Sequence, residues 1–425
     1  MRLRRWLSSA EILAASGVSL LLIFPVPLTT LTGIGLVVLL GIWLLRWRVE
    51  REPLPSTPLN LALLFLLFSV LVSVLVSAVP PFTTEALSYF LAGQVLFWAM
   101  VRWASTPGDS KVAWVWGALT VSGLALAVLA PFGMTLSAPP LLPLPSVYAR
   151  LAGRLPESIN ANVLAGALVV LWPVALSLPR IGDSRAIACG LRTFACGSAA
   201  FMVLTIVITQ SRGAYLAVIA EVLLLFVLRW PRSVWVLIPI VLIIAMILIG
   251  VVGLDTLLDE LTTGSVTSGL EQRIEIWSRA LYAIQDFPFT GVGLGTFEQV
   301  MAVLYPLFLN LAGTVPHAHN LFLQVAVDLG LPGLIAYLSL LGLTFFSGFF
   351  AHRIFISKGN AALSNLCAGC IVALTGMCVH GLVDAASWGY IKLAFIPWLV
   401  IGLLVSLYRL AEREHKESTV LPEAM

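Results

Sequence analysis

The amino-acid sequence predicts an all-α integral membrane protein, and three observations carry this prediction. Of the 425 residues, 60% are hydrophobic and only 11% are charged, whereas a soluble domain of this length needs more charge to stay in solution. The mean hydropathy of +1.00 is correspondingly high. Apolar runs of about 20 residues, the length that crosses the hydrocarbon core, recur along the chain. We therefore expect one polytopic membrane domain over residues 1–425.

The apolar runs predict about twelve transmembrane helices. The first two are separated only by a short stretch around Pro25 and Pro27, so this pair could form a tight hairpin. The basic start of the chain leads into the first run without a small-residue cleavage pattern, so we expect an uncleaved first helix. The predicted spans are 12–28, 30–46, 59–78, 86–103, 112–131, 160–178, 187–209, 213–229, 233–253, 332–351, 361–383 and 389–408.

The distribution of Lys and Arg residues predicts the orientation of the chain. With the N terminus in the cytoplasm, most of the 24 basic residues fall on the cytoplasmic side, as the positive-inside rule requires. An even number of spans then places both termini in the cytoplasm. Basic residues that lie on the outer side despite this bias are expected to have a role other than setting the topology. The outer exceptions are Arg150, Arg154, Arg212, Arg273, Arg279 and Lys392.

One external segment is long enough to cover a site. Residues 254–318, between the ninth and tenth predicted spans, exceed what a simple connection needs. Apolar residues at three- and four-residue steps from Leu270 to Ile284 predict an amphipathic helix within it. Such a helix lies on the membrane surface or caps the bundle. Arg273 is at the edge of its apolar stripe, one turn before Trp277.

Polar residues at breaks in the apolar pattern predict where the site lies. Arg212 stands between two spans that almost adjoin, and a guanidinium at that depth is costly unless it is paired or functional. A snorkelling contact with the outer headgroups is the alternative. His317, His319 and Asn320 lie together at another break. The two imidazoles could begin a metal site, but no third ligand accompanies them, so no metal is expected.

Other ionisable residues have simpler interpretations. His380 precedes Asp384 by one turn at the end of the eleventh predicted span, which predicts a local His–Asp pair. Glu221 falls inside a predicted span and Asp328 near the end of a short apolar segment. Each of these two carboxyl groups could pair with an arginine or mark a proton path.

Two outer arginines and an outer histidine fit one chemistry in particular. A pyrophosphate leaving group develops negative charge in the transition state, and fixed guanidinium groups stabilise it through bidentate hydrogen bonds. A histidine, which titrates near neutral pH, can deprotonate an incoming sugar hydroxyl. Above a bundle that shelters a polyprenyl chain, these groups form a coherent glycosyl-transfer site.

Short motifs in chain order carry a family resemblance. They are Thr209-Gln-Ser-Arg-Gly-Ala-Tyr-Leu, Arg273-x-x-x-Trp277, Asp286-x-Pro-x-x-Gly-x-Gly-x-Gly-x-Phe297, His317-Ala-His-Asn-x-Phe-Leu-Gln324 and Asp328-Leu-Gly-Leu-Pro-Gly333. The start of the sixth predicted span adds Asn160-Ala-Asn162-x-x-Ala165. Together these motifs resemble the O-antigen ligase / O-antigen polymerase superfamily of bacterial membrane proteins, over its core region at 205–340.

The resemblance implies an O-antigen ligase-like glycosyltransferase of lipopolysaccharide biosynthesis. Such an enzyme moves a glycan from an undecaprenyl-pyrophosphate carrier to an acceptor hydroxyl, on a lipid or a glycan, at the periplasmic or extracellular face of the bacterial inner membrane. It uses no metal and no cofactor. By this resemblance Arg212 and Arg273 would bind the donor pyrophosphate, and His319 would be the base. The possible supporting residues are His317, Asn320, Trp277 and Asn162.

The sequence leaves other functions open. A polysaccharide polymerase of the same superfamily needs the same pyrophosphate clamp and hydroxyl base. A small-anion transporter of the bicarbonate type could use the arginines as its anion site, although such proteins often have internal repeats and mid-membrane charges, and neither is evident here. A non-catalytic scaffold would leave the external arginines without a role. The net charge of +3 is too small to indicate a nucleic-acid partner.

Overall fold

The computed structural model describes most of the chain, and the described residues form a helical bundle. They are residues 2–21, 29–51, 54–105, 109–136, 150–155, 158–178, 185–236, 238–239, 268–308, 315–389 and 391–420. The helices are α1 (Arg2–Leu21), α2 (Thr29–Glu50), α3 (Asn60–Val76), α4 (Pro80–Ala104), α5 (Asp109–Gly133), α6 (Ala161–Leu176), α7 (Arg185–Thr209), α8 (Arg212–Arg229), α9 (Ser268–Asp286), α10 (Phe297–Leu304), α11 (Leu321–Ser357), α12 (Ala361–Gly381) and α13 (Ile396–Val420). Two-residue strands β1 (Met134–Thr135) and β2 (Ile159–Asn160) pair in parallel.

The all-α membrane class is supported by the length and composition of these helices. Five helices in the described part of the chain are long and apolar enough to cross a membrane, and two more apolar helices are shorter. The count of about twelve spans stays a prediction. Most of the ninth predicted span and the start of the external segment, residues 240–267, lie outside the described residues. The five long helices are Pro80–Ala104, Lys111–Gly133, Ile187–Thr209, Leu321–Ser357 and Ala361–Gly381.

Helix α12 is the centre of the bundle. It packs against α6, α8, α11 and α13. Small residues allow this close packing, as in other membrane helix pairs. A methyl group at Gly369 of α12 would lie only 2.9 Å from the carbonyl oxygen of Pro173 in α6. Around this centre, α3 packs against α11, α4 against α13, and α5 against α6.

A buried carboxylate joins three helices at the start of the chain. Glu11 of α1 accepts hydrogen bonds from Arg46 of α2 at 2.8 Å and from Arg102 of α4 at 3.0 Å. The indole Nε1 of Trp43 donates to the same carboxylate at 2.6 Å. All the partners are charged or strong donors, so this buried charge is compensated. The cluster explains why α1 packs against both α2 and α4.

The tenth predicted span, 332–351, is the second half of a longer helix. Helix α11 starts at Leu321 and bends at Gly330, whose φ of 70° and ψ of −179° interrupt the helical conformation. This backbone region is accessible almost only to glycine. The N–H of Leu331, freed by the bend, donates to the carbonyl oxygen of Pro288 at 2.7 Å. The bend therefore separates a short outer part of α11, residues 321–329, from the span.

The outer part of the fold has its own hydrophobic cluster. Helix α9 covers the predicted helical pattern, but its buried face consists of Ile276, Ala280 and Ala283. Ile274 and Leu281, which belonged to the predicted apolar stripe, are each 49% exposed. The difference arises because small alanines, rather than large apolar residues, allow α9 to pack closely against its neighbours. These are α10, the outer part of α11 and the segment around Ala318.

The bend at Gly330 should be sensitive to an added side chain. Gly330→Ala puts an L residue into a strained backbone region and puts its Cβ 2.7 Å from the carbonyl carbon of Phe289. We expect a destabilisation of about 1–3 kcal/mol, measured as a lower melting temperature in detergent. Gly342→Ala is the matched control, because a Cβ at this glycine of the same helix meets open space. Equal melting temperatures for the two variants would contradict this account of the bend.

Candidate functional site

The candidate side chains converge where α6, α8 and α11 begin, around the end of α12. Arg212 is the first residue of α8. Asn320 caps α11, accepting hydrogen bonds from two backbone N–H groups, and its amide donates to the carbonyl oxygen of Leu382 at 2.9 Å. The starts of helices carry unpaired backbone N–H groups and positive partial charge. This end of the bundle is therefore suited to anionic groups.

His380 marks the inner boundary of the site. Its ring lies between the N-terminal parts of two helices: a methyl at Gly166 of α6 would lie 3.1 Å from Cε1, and one at Gly213 of α8 would lie 3.4 Å from Cδ2. The residue is only 3% exposed. Its Nε2 is buried and has no hydrogen-bond partner among the described residues. Glycine at both positions lets the ring pack directly against the backbones of α6 and α8.

The segment that carries His317 and His319 is held through the residue between them. The N–H of Ala318 donates to Oε1 of Gln324 at 2.7 Å. The carbonyl oxygen of Ala318 accepts from Nε1 of Trp277 at 3.0 Å. His319 has a φ of 47°, a conformation that costs energy in a non-glycine residue and persists where its surroundings enforce it.

The hydrogen bonds of His317 define which of its nitrogens carries a proton. Nδ1 of His317 accepts from the N–H of His319 at 3.2 Å, so a neutral His317 has its proton on Nε2. This Nε2 lies 4.0 Å from Oδ1 of Asp384. The other carboxylate oxygen, Oδ2, lies 3.8 Å from Nδ1 of His319. One carboxylate therefore faces both imidazoles, whose ring centres are 4.3 Å apart.

Burial and charge set the protonation of this cluster. Burial lowers the pKa of His317 to about 4, against the opposing effect of Asp384. Burial would raise the pKa of Asp384, but its contact with His319 and the surrounding histidines hold that pKa below the ordinary range. At neutral pH His317 is therefore neutral and Asp384 is a carboxylate. The negative charge is available to orient His319 and to stabilise it when protonated.

The two predicted arginines lie within electrostatic range of each other. Burial lowers the pKa of the Arg273 guanidinium, the Asp384 carboxylate raises it, and the charge of Arg212 lowers it again. Arg273 is thus within electrostatic range of both groups, while remaining protonated as guanidinium groups do. Arg273 is partly buried and Arg212 is exposed. The carboxylate of Asp384 offsets part of the repulsion between these two like charges.

The cluster also has ligand types that could hold a metal ion. One ligand atom from each of His317, His319 and Asp384 lies within 4.8 Å of the others. Asp384 is the third ligand that is not apparent in the sequence. The charge of Arg273 acts on Asp384 and His317, and this positive charge opposes the binding of a divalent cation. A cluster beside an arginine pair is better suited to an anion and a proton.

An apolar cavity of about 510 Å³ opens beside the His317 ring. Its volume is typical of ligand pockets. Polar side chains form the smaller part of its lining, and they are those of Ser158, Asn160, His317, Gln324, Asp328 and Lys392. The remaining wall comes mostly from apolar residues near the end of α5 and the start of α6, including Leu126, Leu129, Ala130, Val163 and Leu164. A ligand that joins a polar head to an apolar chain fits this cavity.

The structure brings together most of the predicted site residues and adds one. Arg212, Arg273, His317, His319, Asn320 and Trp277 all lie at this end of the bundle. Asn162 contributes its backbone N–H, which donates to Asn160 at 2.8 Å, and it is Asn160 that lines the cavity. Asp384, interpreted from sequence as a local partner of His380, interacts with it electrostatically and also faces the two histidines of a distant segment. The spacing of His380 and Asp384 gave no signal of this.

Comparison with known families supports the predicted resemblance. Residues 197–338 match the family described as O-antigen ligase. The matched residues include both arginines and both histidines of the site, whereas Asp384 lies after them. Among curated proteins, no match was found. The resemblance to the O-antigen ligase and polymerase superfamily is thereby confirmed for this part of the chain.

The lowered pKa of His317 predicts a pH-dependent stability. An imidazole in the unfolded chain takes up a proton near pH 6.5, whereas folded His317 does so near pH 4. Between these values only the unfolded state binds the proton, so acidification destabilises the fold. We expect the melting temperature in detergent to fall less in His317→Gln than in the wild type when the pH is lowered from about 7 to about 4.5. This change covers most of the range between the two pKa values of His317.

The control for this experiment is His415→Gln, a change at an exposed histidine near the end of α13. It should keep the wild-type dependence of melting temperature on pH. If His317→Gln shows the same dependence as the wild type and the control, the buried, neutral state of His317 is contradicted.

Proposed function

We propose that this chain, whose residues 197–338 carry the O-antigen ligase region, transfers a glycan from an undecaprenyl-pyrophosphate carrier to an acceptor hydroxyl. The observation that carries the proposal is the convergence of Arg273, His319 and Asp384, an anion-binding group and an oriented base, beside an apolar cavity. The donor has the matching parts: a pyrophosphate, a reactive sugar carbon and a polyprenyl chain.

Arg212 and Arg273 bind the pyrophosphate of the donor in this proposal. The leaving group gains negative charge as the bond between the sugar carbon and the phosphate oxygen breaks, so guanidinium groups stabilise the transition state more than the ground state. The first N–H groups of α8 lie beside Arg212 and add donors for phosphate oxygens. The bound anion also offsets the repulsion between the two arginines.

His319 accepts the proton of the acceptor hydroxyl. When Nδ1–H of His319 points to Asp384, Nε2 carries the lone pair that takes the proton. The hydroxyl oxygen then forms the new bond to the sugar carbon, and undecaprenyl pyrophosphate leaves. Asp384 is a positioning residue, which fixes the tautomer of His319 and stabilises its protonated form. The present separation of 3.8 Å shortens on substrate binding, as contacts of catalytic bases often do.

The cavity beside His317 receives the apolar part of the donor. The polyprenyl chain is attached directly to the pyrophosphate, so its first units must lie close to the arginines and the base. A cavity of about 510 Å³ with apolar walls removes this part of the chain from water, which is favourable in proportion to the apolar area buried. The acceptor approaches from the exposed side of His319, whose side chain is 27% exposed.

The same geometry serves a polymerase, because a repeat unit offers its hydroxyl to the base in the same way. A transporter is less well supported, since the candidate anion-binding residues Arg212 and Arg273 lie at one end of the bundle rather than midway along it. In the proposed topology both termini are cytoplasmic, and the site and the segment 254–318 face the periplasm or the exterior. The asymmetry of Lys and Arg residues supports this orientation.

Substitution of the three predicted residues tests the proposal. We expect Arg212→Ala and Arg273→Ala each to lower transfer by about 100- to 1,000-fold, the usual effect of losing a group that stabilises the leaving charge. His319→Ala should lower it by about 100- to 10,000-fold, the usual effect of losing a general base. Transfer is measured with purified protein in proteoliposomes, from a lipid-pyrophosphate-linked glycan, with a metal chelator present and no nucleotide sugar.

The matched control is Arg279→Ala, on the same helix as Arg273. Its guanidinium pairs with Glu275 of the same helix at 3.6 Å and lies over the ring of Phe308. Because its partners are not residues of the proposed site, and because such i,i+4 pairs contribute little, transfer should stay within about twofold of wild type. Wild-type transfer by the three site variants would rule out the site assignment. Loss of wild-type activity in the chelator, restored by a divalent ion, would instead support a metal at the histidines.

A further inference from the structure

We propose that Asp328 is a positioning residue that fixes the His317–His319 segment relative to the segment carrying Asp384. This inference rests on the proposed function for its kinetic consequences, but its structural consequences can be measured without it. Asp328 lies at the end of the outer part of α11 and is fully buried. It is too far along the chain from either segment to act as a local cap, and its carboxylate reaches both through other side chains.

Two chains of hydrogen bonds run from the carboxylate of Asp328, one through Gln324 and one through Trp388, and together we call them the bridge. The first arm, through Gln324, leads to the histidines. Oδ1 of Asp328 accepts a hydrogen bond from Nε2 of Gln324 at 2.9 Å. Oε1 of the same Gln324 accepts from the N–H of Ala318 at 2.7 Å. Because Ala318 stands between His317 and His319, this amide group sets the position of both rings. Trp277 holds the opposite side of the same peptide segment through the carbonyl oxygen of Ala318.

The second arm leads to the segment after α12. Oδ2 of Asp328 accepts from Nε1 of Trp388 at 2.9 Å. Trp388 follows Asp384 by one short turn, and its ring is further held by edge contacts with Tyr337 and Phe90, at centre separations of 5.3 and 6.0 Å. The indole therefore has one orientation, and its hydrogen bond to Asp328 relates the Asp384 segment to α11.

The backbone around Asp328 is also held. Its carbonyl oxygen accepts from the hydroxyl of Ser73 in α3 at 2.7 Å, and the N–H of Gly295 is a further donor to its carboxylate. A buried carboxylate with this many donors is a rigid junction, because leaving any of its partners unsatisfied in a buried site is costly. The separations of 3.8 and 4.0 Å between Asp384 and the histidines depend on this junction.

The donor and acceptor roles of residues 324 and 328 in the bridge can be exchanged by substitution. Asp328 accepts at both oxygens, while Gln324 accepts from Ala318 and donates to Asp328. Asp328→Asn therefore leaves two donors facing each other on one arm or the other, whichever way the amides turn. Gln324→Glu alone leaves two acceptors facing each other. Combining the two changes restores the hydrogen bonds of both arms and the total charge, because the introduced amide then donates to the introduced carboxylate.

The double-mutant cycle of these changes is the test. We expect each single variant to lower kcat for transfer by about 10- to 100-fold, since displacing a catalytic group by about 1 Å has effects of that size, with little change in KM for the donor. The double variant should recover most of the wild-type kcat. Thr344→Val is the matched control: it removes a buried hydroxyl from the same helix and should leave kcat unchanged.

A second readout is independent of the proposed function. Diethyl pyrocarbonate modifies histidine rings, and mass spectrometry gives the modification rate of His317 and His319 separately. We expect both rates to rise several-fold in the single variants and to return towards wild type in the double variant. The overall fold is monitored by the melting temperature in detergent, and the double variant should be folded even where a single variant is not.

The outcomes separate the two proposals. Absence of transfer by the wild type, with the expected pattern of histidine modification, rejects the proposed function and supports the bridge. Modification rates that are equal in wild type and single variants overturn the bridge, as does a folded double variant that is no better than the single variants. A uniform loss of melting temperature without rescue would indicate simple destabilisation and also overturns it.

Discussion

The carboxylate of Asp384, buried between two histidines and near an arginine, is the interaction on which the site depends. The interacting residues come from three parts of the chain that are far apart in sequence. Asp384 follows α12, the two histidines lie just before α11, and the arginine is on α9. A charge in this position is tolerated only because its partners offset the cost of removing it from water. Three features of the surrounding fold hold these partners in place. They are the glycines that make room for the His380 ring, the bend at Gly330, and the buried face of small residues on α9.

The membrane explains why so many polar groups are paired within the bundle. A polar group in the hydrocarbon region cannot turn to water, so each needs a partner inside the protein. Glu11 is satisfied by two arginines and an indole, and Glu221 accepts from the indole of Trp172 at 2.6 Å. Asp328 follows the same rule with Gln324 and Trp388. Tryptophan serves in all three because it buries a large apolar surface while offering one donor.

The sequence predicted those features that depend on composition and local spacing. The helical class, the amphipathic pattern of α9 and the break before Pro332 all follow from periodicity and from glycine or proline chemistry. Arg212 and Arg273 were singled out as charges placed against the insertion bias, and His319 by a break in the apolar pattern; their roles stay predictions. The position of Asp384 beside His317 and His319 could not be predicted in this way, because these partners are distant in sequence and its neighbour His380 offered a simpler explanation. The buried face of α9 was missed for a related reason: alanines that pack closely carry a weak hydrophobic signal. Asn160 rather than Asn162 lines the cavity, a difference of half a helical turn that depends on where α6 begins.

The central claim is that the outer histidine and arginines act on a lipid-linked glycan. Mass spectrometry of the lipid-linked glycan pool tests it most directly, in cells whose only copy of this chain carries His319→Ala, compared with cells carrying the wild type. We predict that undecaprenyl-pyrophosphate-linked glycan accumulates in the variant, as long polymers if the chain is a ligase and as single repeat units if it is a polymerase. A pool that is unchanged while the variant is present in the membrane at the wild-type level would contradict the account.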